Sequence, residues 1–211
     1  MRITKTTDRV REHLSKALGR LARQPVLQDK RGVAAVEFAL IVPLMLAMYL
    51  GTMEMSAGVV VNKKVSRVAS TVADLVTQQQ EVSKADLEQI MGIGEAVLFP
   101  YVSRRPDIVV IGIDVDTSYP KGGKVVWSRR YDQGTFKPGW AKGSDVDVPA
   151  KLQINDTFLV RVDTRIDYAP VVSWLIGDTV GSIKNGVGVI EMAESYILRP
   201  RYGADITCID C

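Results

Sequence analysis

Two clusters in this 211-residue chain hold residue types that could do chemistry. The first is Lys30-Arg31-Gly32-Val33-Ala34-Ala35-Val36-Glu37-Phe38: a basic pair and a glycine before an apolar run, then an acid with an aromatic beside it. Glycine has no side chain, so another molecule could approach the backbone closely at that point. An ionised Glu37 in mid-membrane hydrocarbon costs roughly 3 kcal/mol, less near an interface, and so calls for a partner or for headgroups. The second cluster is Cys208-Ile209-Asp210-Cys211, which ends the sequence. A structural zinc site needs about four ligands and this spacing supplies two. A redox dithiol normally opens a helix in a thioredoxin-like unit rather than lying on a tail. In an exported compartment the expectation is a small Cys208–Cys211 disulfide loop, with interchain bonding and free thiols as open alternatives.

Elsewhere the chemistry is thin. His13 is the single histidine, so no Ser-His-Asp or Cys-His arrangement can form after it. Gly122-Gly123 and the glycines between 181 and 188 lack the spacing of phosphate loops. Asp114/Asp116 and Asp145/Asp147 offer oxygens suited to Ca²⁺, but no loop has a full ligand set and ordinary surface acids are expected. No enzyme activity, metal, cofactor or small-molecule substrate is expected on these grounds.

The element that must position the first cluster is the one long apolar run. Phe38 to Met53 is 16 residues without a charge, and the apolar character extends over Val33 to Val61, 29 residues. As a helix that is ~43 Å, more than a hydrocarbon core of ~30 Å. A buried core helix and a removable secretory signal fit less well, because the run is too long and no small-x-small site follows it. Charge sets the direction. Residues 1 to 32 hold nine basic side chains and three acids, +6, which leaves 18 − 21 = −3 for the rest of a chain whose total is +3. That excess should keep the N-terminus in the cytoplasm, with Lys63, Lys64 and Arg67 a weaker opposing group beyond the helix. Because the basicity is confined to one end, it does not argue for nucleic acid.

The glycine, acid, aromatic and basic flank resemble the prepilin-peptidase processing motif of type IV pilins. The longer run from Gly32 to Pro43, with Gly51 and Glu54, looks like the TadE/TadG-like minor pseudopilins of tight-adherence (Flp-type) pili, over about 25 residues. The resemblance implies a structural pilus-assembly subunit in a bacterial inner membrane, with its C-terminal domain in the periplasm. It implies recognition by a prepilin peptidase through Gly32, Val33, Glu37 and Phe38, and cleavage after Gly32. The new amine on Val33 would lie on the same helical face as Glu37, four residues on. Mostly protonated at neutral pH, it could pair with Glu37 of its own chain or of a neighbouring subunit. The implied partners are the bilayer, the peptidase, other pilin-like subunits and the assembly machinery. The alternative is an uncleaved bitopic envelope protein with a binding or scaffold ectodomain.

Pro43 should kink the span. Ala47 and Gly51 form a weak small-xxx-small pair, and Glu54 is either an outer-interface residue or a polar contact in a bundle. Residues 1 to 32 form a basic cytoplasmic leader, with Val10, Leu14, Ala17, Leu18 and Leu21 on one face of an amphipathic stretch or a solvated tail.

Residues 62–211 read as an exported α+β domain. Val61, Val65, Val68, Val72, Leu75 and Val76 continue the helix with a core face. Ser83 and Asp86 form a capping box with Asp in place of Glu, placing Leu87, Ile90, Met91 and Leu98 inside before Pro100. Four segments then alternate with a period of two. Val109, Ile111, Ile113 and Val115 share a face, as do Val125, Trp127 and Tyr131 (Arg129 being the exception). Phe158, Val160, Val162 and Ile166 form a third set, and Ile190, Met192, Tyr196 and Leu198 a fourth. Lys137 to Pro149 is expected to be a long loop, and Tyr168 to Gly177 core or a subunit contact. One helix feeding an antiparallel sheet is a pilin-like α+β plan.

Overall fold

The computed structural model describes residues 32–98, 105–171, 182–184 and 187–211. Residues 1–31 of the expected leader, Pro100 and the apolar segment beyond Val171 lie outside the described residues. The chain divides into two units, Met1–Gly51 and Thr52–Cys211, and helix α1 (Val33–Thr77) runs through both without interruption, Pro43 included. In the first unit every described residue from Gly32 to Gly51 is exposed except half-buried Val42.

In the second unit α1 changes character. Val61, Val65, Val68, Val72 and Val76, three or four apart, form a fully buried stripe, the spacing that puts side chains on one helical face. The helix ends after Thr77, whose carbonyl accepts the Arg201 N–H at 2.9 Å, while the Arg201 guanidinium pairs with Asp74. A short strand, β1 (Glu81–Val82), leads into α2 (Lys84–Leu98). The expected cap is present: Ser83 N–H donates to Asp86 Oδ2 at 2.9 Å and Asp86 N–H donates to Ser83 Oγ at 3.2 Å. These bonds hold the Asp86 carboxyl below its ordinary pKa. Leu87, Met91 and Leu98 are buried as expected. Gly94 lets α2 approach closely, since a Cβ there would sit 2.8 Å from Ile108 and 2.9 Å from Val68.

The strands that follow are β2 (Asp107–Val115), β3 (Gly122–Asp132), β4 (Thr135–Pro138), β5 (Asp145–Asp147), β6 (Thr157–Tyr168), β7 (Ser182–Lys184) and β8 (Val187–Leu198). They form one antiparallel sheet in the order β4-β3-β2-β6-β8-β7, with β5 also on β3. The chain ends in β9 (Thr207–Cys208), which pairs in parallel with β1. The fold is α+β, a long apolar N-terminal helix followed by an antiparallel sheet domain, as the residue pattern implies.

Three details depart from expectation. The sheet buries both faces of β2. Ile108 and Val110 join the core beneath α1 and α2, whereas Ile111, Ile113 and Val115 form a second core with Val125, Val146, Val148 and Leu159. Val125 therefore does not share a face with Trp127 and Tyr131. The register between β2 and β3 slips at Gly112/Ile113, where Val126 is inserted, and one extra residue reverses the alternation on either side of it. The Lys137–Pro149 stretch is not a plain loop: Lys137 and Pro138 end β4, and β5 supplies Val146 to the second core. The turn into β4 is the two-residue Gln133-Gly134, both at positive φ, a hairpin geometry that favours glycine. Finally, Tyr196 is 41% exposed rather than inward. It is paired with Val162 and so lies on the helix-covered side, but β8 is near the sheet margin, where that cover thins. Arg129, the exception in its strand, faces α2 and forms an ion pair with Glu88 at 2.7 Å.

Candidate functional site

The residues of the N-terminal cluster stand in a row at the start of α1. Val33 is its first residue, Glu37 lies one turn on, and Phe38 beside it is 69% exposed. Gly32 precedes the helix, and a Cβ there would meet nothing within 4 Å, so packing does not require a glycine. The same is true of Gly51, which leaves the Ala47/Gly51 face open to close approach. The large side chains between Val33 and Met55 point outward, Leu40 and Met55 at 74% exposure among them. Leaving that much apolar surface in water is unfavourable at roughly 25 cal/mol per Å², and a bilayer removes the cost.

Glu54, half-buried near the end of this exposed run, has two partners within the second unit. Tyr168 Oη donates to Glu54 Oε1, and Val171 N–H donates to Oε2 at 3.0 Å. Burial, together with the hydrogen bond to Glu54 and its charge, pushes the Tyr168 phenol up to about 12. Neither partner was legible beforehand. They lie 114 and 117 positions away in sequence, and no local pattern announces so distant a contact.

The C-terminal cluster has a structural role. Cys208 and Cys211 are joined in a disulfide with Cα atoms 5.6 Å apart. Their loop presents Asp210 Oδ1 to the Lys84 N–H at 2.7 Å, at the first turn of α2 where backbone donors lack partners. Ile209 N–H donates to Val82 O at 3.0 Å, and buried Trp127 Nε1 donates to Ile206 O at 2.8 Å. Cys208, Asp210 and Cys211 lie within 4.8 Å of one another, but with the sulfurs bonded together only a carboxylate is left to bind a cation. Of the other paired acids, Asp114 and Asp116 are locally engaged. Asp114 Oδ2 accepts from Tyr119 Oη at 2.8 Å and Asp116 Oδ1 from Ser118 N–H at 2.7 Å, which holds Asp116 below the usual carboxylate range.

The arrangement defines a class: among the described residues, one N-terminal helix long and apolar enough to cross a membrane, continued into an α+β domain with an antiparallel sheet. Residues 32–74 match the family model described as TadE-like protein, so over this stretch the chain is similar to TadE-like proteins, and pilus assembly fits that family. The matched segment begins at Gly32 and takes in the exposed run, Glu54 and most of the buried valine stripe. No curated protein and no solved structure matches the chain.

Proposed function

We propose that the chain is a structural subunit for assembly of a Tad (Flp-type) pilus, not an enzyme. It is held in the inner membrane by α1 and cut after Gly32 by a prepilin peptidase. The observation that carries this reading is the coincidence of two boundaries at a glycine. The family likeness begins at Gly32, the helix begins at Val33, and Gly32 is a glycine the fold does not need. The N-terminus would be cytoplasmic and the sheet domain periplasmic, following the +6 charge of residues 1 to 32.

We place the outer edge of the span near Glu54 rather than at Val61, because Val61 is buried in the domain core and Glu54 is engaged by Tyr168. Val33 to Met53 is 21 residues, about 31 Å of helix at ~1.5 Å per residue, against a hydrocarbon core of ~30 Å. The freed Val33 amine would then meet Glu37 of a neighbouring subunit and neutralise it in the membrane, favouring docking in register. The test is the N-terminus of the chain recovered from membranes of cells that contain a prepilin peptidase. Sequencing that starts at Val33, abolished by Gly32→Leu, is the expected result. An intact Met1 end would sink the proposal and favour an uncleaved bitopic envelope protein with a binding or scaffold ectodomain.

A further inference from the structure

The sheet face turned away from α1 and α2 carries a feature to which the proposed function assigns no role. Beyond the second core this face is polar, and it holds a trough of about 340 Å³ lined by residues of β2, β3, β6 and β8, with Trp140 on one wall. A second depression of about 210 Å³ shares Asp107, Arg130 and Arg165 with it. The larger is within the range of roughly 300–1,000 Å³ usual for small-molecule sites.

The chemistry of its floor is specific. Asp107 takes Arg130 in a two-pronged contact, Oδ1 from Nε at 2.8 Å and Oδ2 from Nη2 at 2.7 Å. Arg161 Nε donates to Asp163 Oδ1 at 2.7 Å, and Arg165 pairs with Glu191 at 3.3 Å. Three arginines and three carboxylates (Asp107, Asp163 and Glu194) line the trough, and all three arginines are already in ion pairs. The floor has little net field to draw in an ionic ligand, yet it presents fixed N–H donors and carboxylate oxygens with unused capacity. Trp140 is 44% exposed and offers a broad apolar ring beside them. A charge-balanced bed of planar hydrogen-bonding groups next to an aromatic plate matches one ligand chemistry best. That ligand is a neutral sugar, whose hydroxyls both donate and accept and whose C–H faces stack on an indole.

We propose that this trough is a binding site for a neutral glycan, with Trp140 as the stacking platform and Arg130, Arg161 and Asp163 as the hydrogen-bonding floor. The inference does not depend on cleavage after Gly32. It goes beyond the assembly role by giving the exported domain a contact with a carbohydrate surface.

The test uses the full chain in lipid nanodiscs, which avoids sugar-headed detergents, and saturation-transfer NMR with cellotetraose, maltotetraose, mannotetraose and chitotetraose. At least one should receive transfer. Trp140→Ala should weaken its binding about tenfold, the loss of one aromatic contact, at an unchanged melting temperature. Arg130→Lys, which keeps the charge but not the fork, should also weaken it. Three results would overturn the proposal: no transfer to any tetrasaccharide, binding indifferent to Trp140→Ala, or tighter binding of a tetraglutamate peptide than of every neutral sugar.

Discussion

Replacing Gly112 by alanine tests whether Trp127 is the pin that joins the sheet to the C-terminal tail. A Cβ at Gly112 would lie 2.5 Å from Trp127 Cε2, 2.7 Å from its Nε1 and 2.8 Å from Phe158 Cζ. Trp127 and Phe158 are nearly buried, with ring centroids 6.3 Å apart, so neither has room to swing aside. Restoring ordinary contact at ~3.5 Å requires the indole to move by about 1 Å, which strains the bond from its Nε1 to Ile206 O. Overpacking costs ~1–3 kcal/mol and the lost hydrogen bond about 1 kcal/mol. The lower chain entropy of alanine returns ~0.5–1 kcal/mol. The net is near 2 kcal/mol, which for a chain of this size lowers the melting temperature by about 4–8 °C. Thermal unfolding followed by near-ultraviolet circular dichroism of the full chain reads both the shift and the altered tryptophan environment. Gly92 is the control: a Cβ there meets nothing within 4 Å, so Gly92→Ala should stabilise by up to ~1 kcal/mol through helix propensity. A Gly112→Ala protein that melts at or above the wild-type temperature would refute the pinning argument.

Other outcomes follow from the same contacts. Burial and the bonds to Glu95 and Glu54 push the phenols of Tyr131 and Tyr168 up to about 12 from 10. Their neutral forms therefore contribute stability that is intact below pH 10 and lost as the pH rises toward 12; melting temperatures across that window should fall less steeply for a Tyr131→Phe/Tyr168→Phe double variant. Cys208→Ser opens the small loop and frees Cys211, costing up to about 2 kcal/mol on chain-entropy grounds; Cys211 should then react with maleimide without prior reduction, which the wild type should not allow. Glu37→Ala should still insert in membranes yet fail to support pilus formation, and normal piliation by that variant would count against the docking role.

The sequence revealed what depends on neighbours along the chain. The valine stripe of α1, the Ser83/Asp86 cap and the alternation of β6 are local periodicities, and each is found where its spacing predicts. What stayed hidden depends on a partner elsewhere. The Val126 bulge is a slip between two strands, invisible in either alone, and it sends Val125 into a second core that no single strand declares. Tyr196 reads as inward because alternation names a face but not whether anything covers it. Of the candidate site, the row from Gly32 to Phe38 was legible as a motif. The Glu54 contacts with Tyr168 and Val171 were not, since they close across more than a hundred residues. Gln133-Gly134 was a readable signal for the hairpin into β4 and would have shortened the expected loop.

The manner in which residues 201–211 close the domain bears on when it can exist. Arg201 meets the end of α1 at Asp74, and Asp210 meets the start of α2 at Lys84, across 127 and 126 positions respectively. Synthesis from the N-terminus delivers the valine face of α1 more than a hundred residues before the residues that tie off both helices. Completion therefore waits for residues 201–210, and until they arrive the half-built domain is an apolar helix face in need of shelter. A chain cut before Arg201 would keep every strand of the large sheet, yet it would lose the contacts that tie off both helices.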